Sequence, residues 1–190
     1  MSLDLYLKCT HPVKHRSTGL FARRNGEMRE LETIEEVKEH FPYADVSDIR
    51  VYEYEDNTVL RINLTHNLID MAKQVPIAGR GGEETTLTAY NLLWHPETNP
   101  LLANETMHTV DEDGMEWDVG ITRLSPEFFR QLVVAYQYME THPDELSIYN
   151  PSNGWGSYQL LLNATHKLFK AVLDISLEHA SPQYYIECDR

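Results

Sequence analysis

The chain has 190 residues, 42% of them hydrophobic and 24% charged, a composition that suits a single globular domain, 1–190, with a sizeable core. Its formal net charge of −14 argues against nucleic-acid backbones and anionic membrane surfaces, both of which call for basic patches. No stretch has the length of a membrane span, and MSLDLYLKC lacks the basic start and apolar run of a secretory signal. A cytoplasmic location follows as an expectation, with Cys9 and Cys188 as two reduced thiols.

In chain order, Leu3, Leu5 and Leu7 alternate with Asp4, Tyr6 and Lys8, which predicts a strand over Leu3–Cys9. His11 to Met28 is polar and basic and reads as loop or irregular hairpin. Thr33 is followed three residues later by Glu36, a capping box that opens a short helix ending before Pro42. Ile49–Glu55 and Thr58–Leu64 read as two strands joined by a tight turn at Asp56-Asn57. The period then changes: Leu68, Met71, Ala72 and Val75 fall at helical spacing, with Thr65 as N-cap.

Ile77 to Thr88 contains Gly79-Arg80-Gly81-Gly82 and reads as a mobile loop. Leu101–Val110 is expected to be helical and Asp111–Asp118 an acidic loop. Ser125-Pro126-Glu127 is a strong helix start, followed by the apolar row Phe128, Leu132, Ala135 and Met139, with Pro143 as the stop. Ser157 opens a second long helix with Leu161, Ala164, Leu168 and Val172 on its buried face. Tyr184–Cys188 reads as a closing strand. The expected fold class is α+β, a small, mostly antiparallel sheet with helices packed on one side.

Several of these segments carry a likeness. Met1-Ser2-Leu3-Asp4-Leu5-Tyr6-Leu7, Asn63-Leu64-Thr65-His66-Asn67-Leu68, Leu93-Trp94-His95-Pro96-Glu97 and Asn153-Gly154-Trp155-Gly156-Ser157-Tyr158 occur in this order. In these motifs the chain resembles a family of small uncharacterised proteins of bacteriophage and bacterial genomes. It departs from that pattern in a longer stretch between Cys9 and Val51 and a longer glycine-rich loop after Ile77. The resemblance implies a phage or bacterial cytosolic origin and brings no catalytic residues with it.

Two stretches stand out as candidate sites. Gly154 and Gly156 flank Trp155 just ahead of a helix, where free backbone N–H groups and the helix dipole attract anions. Asn153 and Ser157 would add polar contacts, and Trp155 and Tyr158 would stack. The plainer reading is a turn pinned by a tryptophan in the core, since no P-loop lysine follows. Thr65-His66-Asn67 lies at a strand-to-helix junction, a common place for ligands. His66 and Asp70, four residues apart, could begin a metal site that would need further ligands.

Arg80 could reach an anion from its glycine-rich loop, and Trp94 could serve as an aromatic platform, although tryptophan there is more often core. His108, Asp111, Asp113, Glu116 and Asp118 read as a solvated acidic loop without the calcium-loop pattern. Asn163, His166 and Lys170 read as an exposed polar helix face. No nucleophile motif or complete metal set is recognisable, which leans away from an enzyme.

The leading expectation is a non-catalytic phage accessory protein. It would hold a small polar or anionic ligand, such as a nucleotide signal of host defence, or a host protein, in a cleft between His66 and Asn153–Tyr158. The site residues are then His66, Asn67, Arg80, Trp94, Asn153, Trp155, Ser157 and Tyr158. No cofactor is expected, and a homo-oligomer is possible. The alternatives are a metal-dependent hydrolase using His66 and Asp70, and an acidic decoy for a basic host protein.

Overall fold

The first strand, β1 (Leu3–Ser17), buries Leu3, Leu5 and Leu7 on one face and leaves Asp4, Tyr6 and Lys8 half-buried on the other. The period-2 alternation dictates this two-faced strand, and each fully buried leucine contributes about 1.5–3 kcal/mol. The computed structural model describes residues 3–24, 27–77, 88–99, 102, 104–110, 113–152, 156–178 and 184–189. Its contacts divide the chain into two units, one of Met1–Thr10 with Val59–Arg190, the other of His11–Thr58.

The smaller unit contains the hairpin β2 (Phe21–Arg24) and β3 (Glu27–Glu30), paired antiparallel, and helix α1 (Ile34–His40). Thr33 caps α1 by accepting from the Glu36 amide at 3.2 Å. Ala22, Leu31 and Val37 make a small core here. The polar stretch after His11 is therefore strand and hairpin. Strand β4 (Tyr52–Leu64) is continuous through Asp56-Asn57, where a turn was expected. Its neighbour β1 is 15 residues long, and ladder pairing along that partner overrides the local turn propensity.

In the larger unit, helix α2 (His66–Gln74) follows β4 directly. After the segment 78–87 the chain forms a π-helical turn, Tyr90–Trp94, and a single 3₁₀ turn, Pro96–Thr98. Strands β5 (Asn104–Val110) and β6 (Glu116–Arg123) form an antiparallel hairpin. The helix expected over Leu101–Val110 is thus a strand, and Glu116–Asp118 belong to its partner. Continuous pairing from Asn104↔Thr122 to Val110↔Glu116 is a non-local gain that a window of sequence does not show.

Helix α3 (Pro126–Thr141) begins as expected, with Ser125 Oγ accepting from the Phe128 amide at 3.1 Å. A short helix, α4 (Pro143–Leu146), comes next, then α5 (Tyr158–Glu178) and strand β7 (Tyr184–Asp189). The five-stranded sheet runs β4-β1-β7-β6-β5, with β1–β7, β7–β6 and β6–β5 antiparallel. The fold is α+β. The stripes Phe128, Leu132, Ala135 and Met139 of α3 and Leu161, Ala164, Leu168 and Val172 of α5 are buried in one core with the inward face of β1.

Cys9 and Cys188 are both free thiols. Cys9 pairs with Tyr184 and Cys188 with Leu5, four ladder positions apart. At strand spacing that is roughly 13 Å, beyond the reach of a disulfide. No described helix is long and apolar enough to cross a membrane.

Candidate functional site

Helix α2 starts where β4 leaves the core at Leu64. Thr65 is extended (φ −66°, ψ 158°) and makes no side-chain hydrogen bond to the helix, and the first turn carries no acidic residue. The first N–H groups of a helix have no partner inside it, and a negative group is the natural complement for that end. His66 is exposed. Its Nε2 lies 3.1 Å from Asp70 Oδ2, and Lys73 Nζ lies 3.7 Å from Asp70 Oδ1.

The turn before α5 packs against this helix start. Gly156 has φ +111°, and a Cβ built on it would stand 3.3 Å from Leu68 Cδ2 and 3.7 Å from Asn67 Cβ. Among the described residues, the structure therefore brings Gly156 of one singled-out stretch against Asn67 and Leu68 at the other. The α5 end is closed by its own side chains. Asn150 Oδ1 accepts from the Tyr158 amide at 2.5 Å, and Ser157 Oγ accepts from the Leu160 amide at 3.3 Å. Ser157 is thus a helix cap. Of the two helix ends, α2 is the one without a side-chain cap.

Two expected ligand contacts lie in the core instead. Trp94 is fully buried among the core side chains, and its Nε1 has no hydrogen-bond partner among the described residues. Tyr158 is 4% exposed, and its hydroxyl donates to the Met139 carbonyl. Burial holds this phenol well above its ordinary pKa, with the nearby Tyr138 adding to the shift. Both rings offer more apolar area to the core than a surface platform would use. Arg80, Asn153 and Trp155 lie outside the described residues.

The alternative metal site falls short as it stands. Among the described residues no three histidine, cysteine or carboxylate side chains are grouped to hold a metal ion. The Asp70 carboxylate already faces two basic side chains, His66 and Lys73. A divalent cation would have to compete with the lysine for that carboxylate.

A set of polar contacts running from the core to its rim escaped the sequence reading. The His95 side chain is 2% exposed, and its Nδ1 lies 3.0 Å from Glu97 Oε1, just beyond the π-helical turn. Asn99 Nδ2 donates to Gln131 Oε1 at 2.8 Å, and Gln131 Nε2 donates to Glu127 Oε1 at 3.0 Å. Thr122 donates to Asn104 Oδ1 at 2.7 Å, and Asn104 donates to the Glu97 carbonyl at 3.0 Å. One signal was available: Gln131 is a polar residue on the buried stripe of α3. The set connects outward, because Tyr90 lies 5.2 Å from the His95 ring and Lys73 Nζ lies 5.3 Å from the Tyr90 ring.

No known protein family, curated protein or solved structure matches the chain.

Proposed function

We propose that the protein is a non-catalytic accessory protein that binds a small anionic ligand at the N-terminal end of α2. The observation that carries this reading is the start of α2 itself. It has no side-chain cap and no acid in its first turn, and the Gly156 turn packs directly onto Asn67 and Leu68. The helix end contributes only about 0.3–1 kcal/mol to holding a surface anion, so His66 and Asn67 supply the rest of the recognition. Asp70 orients the His66 ring through Nε2, and the ring meets the ligand through Nδ1. The resemblance to small phage and bacterial proteins supports an accessory role in a bacterial cell. A phosphate-bearing nucleotide signal of host defence has the chemistry that such a helix end accepts.

The test begins with native mass spectrometry of protein purified from bacterial cells, followed by titration with a cyclic dinucleotide and with inorganic phosphate. Asn67→Asp is the decisive variant. A carboxylate in the first turn favours the helix but repels an anion, so a loss of binding is separated from a loss of folding. The expected result is a melting temperature no lower than that of the wild type, with at least tenfold weaker binding. A wild-type protein that binds neither probe, or an Asn67→Asp protein that binds as wild type does, overturns the reading.

A further inference from the structure

We propose that the open edge of β5 docks an extended, lysine- or arginine-bearing segment of a partner protein as an added strand. Among the described residues, β5 is the last strand of the five-stranded sheet and pairs only with β6. Five of its seven residues are exposed, and Asn104–Val110 contains no lysine, proline or glycine. Charged side chains (lysine above all), proline and bulges are the usual means of keeping an edge from accepting another strand, and of aspartate, glutamate, lysine and arginine β5 carries Glu105 alone. The opposite edge strand, β4, carries Arg61, held by Asp4 at 3.0 Å.

The chemistry beside the edge selects the occupant. Between Asn104 and Gly120 the sequence has six carboxylates (Glu105, Asp111, Glu112, Asp113, Glu116 and Asp118) and no lysine or arginine. Arg123, the last residue of β6, answers Glu105 at 3.0 Å. His108 sits between Asp118 at 3.1 Å and Glu116 at 3.6 Å. By its sequence the hairpin is strongly acidic. A second copy of the chain would set like charges face to face, whereas a basic segment would neutralise them.

The register divides the two faces of the hairpin. His108↔Asp118 and Val110↔Glu116 place Glu116 and Asp118 on one face, and Thr109↔Trp117 places an exposed indole on the other, the face that also carries Glu105. A strand added to β5 alternates its side chains in the same way. Its basic residues would reach over His108 and Val110 toward Glu116 and Asp118, one strand further in, and its apolar residues would lie on the Trp117 side, while its backbone pairs with β5.

The test is calorimetric titration at 50 mM salt with a nine-residue peptide that alternates lysine and valine. A second peptide of identical charge is N-methylated at alternate residues, so that one edge cannot pair. The variant protein is Glu116→Lys with Asp118→Lys, two exposed positions. The expected results are saturable binding of the first peptide, at least tenfold weaker binding to the variant, and loss of binding on N-methylation. Amide resonances of 104–110 should shift on addition of the first peptide. No binding at low salt, or an N-methylated peptide that binds within twofold of its parent, overturns the proposal. Unchanged affinity in the double variant does so too, as does self-association through β5.

Discussion

Gly156 and Leu68 meet so closely that a methyl group on the glycine would stand 3.3 Å from Leu68 Cδ2. The backbone at Gly156 also has φ +111°, a region that residues with a side chain rarely enter. Gly156→Ala therefore combines a backbone penalty with displacement of the α5 turn from α2. The expected loss is about 1–3 kcal/mol, read as a lower urea midpoint at unchanged slope. Anion binding at α2 should weaken as well, because Asn67 lies under the same methyl group.

Trp94 separates a packing role from a polar one. It is fully buried, with its indole N–H unpartnered among the described residues. Trp94→Ala should cost about 3–5 kcal/mol through the cavity it leaves. Trp94→Phe removes the unpartnered N–H along with part of the ring, and the two effects oppose each other. Thermal unfolding should place Trp94→Phe much closer to wild type than to Trp94→Ala.

Tyr158, the first residue of α5, closes the last turn of α3. Met139 is near the α3 C-terminus, where carbonyls lack a partner within the helix, and the Tyr158 hydroxyl donates to it. Tyr158→Phe strands that buried carbonyl and should cost about 1–3 kcal/mol. Hydrogen exchange should quicken first at the C-terminal end of α3.

Asp4 gives the stability an acid-side dependence with a definite sign. Burial alone raises its carboxyl pKa, but hydrogen bonds from Arg61 and Asn63, with the charge of Arg61, bring it below the ordinary 3.8. A carboxyl depressed in the folded state stabilises above its unfolded pKa, and that contribution is lost as pH falls through the folded value. The loss should therefore appear below about pH 4. Arg61 is largely exposed, so Arg61→Met should cost less than about 1 kcal/mol at pH 7. In the same variant the Asp4 titration, followed by NMR, should move upward because burial then acts with less opposition.

What was legible in the sequence was local. Ser125-Pro126-Glu127 and Thr33 with Glu36 announce helix starts because a cap and its target amide lie within four residues. The leucine alternation at the start of β1 was equally plain. β5 was not, since its stabilising partner begins at Glu116 and no helical or strand period dominates NETMHTV. The stretches around His66 and Gly156 were chosen from glycine, histidine and cap chemistry, and Gly156 does lie against Asn67 and Leu68. Trp94 and Tyr158 show the ambiguity that remains, because an aromatic next to histidine or glycine reads the same on a surface as in a core. The set of polar contacts was the least visible, since Asn99 and Gln131 are 32 residues apart in sequence and only the fold pairs them.

The π-helical turn makes the position of His95 a matter of counting. The His95 amide reaches back five residues to the Tyr90 carbonyl, one more than an α-helix would allow. A π turn is an α-helix carrying one extra residue, and each helical residue turns the chain by roughly 100°. Excising a single residue from Tyr90–Trp94 would restore regular α spacing there and rotate His95 and Glu97 together relative to the helix before them. Asn99, four residues on, would be carried off Gln131 by the same rotation. Insertion and deletion at this turn therefore act as a phase setting for the contact between Asn99 and Gln131, one to which ordinary substitutions in the turn are blind.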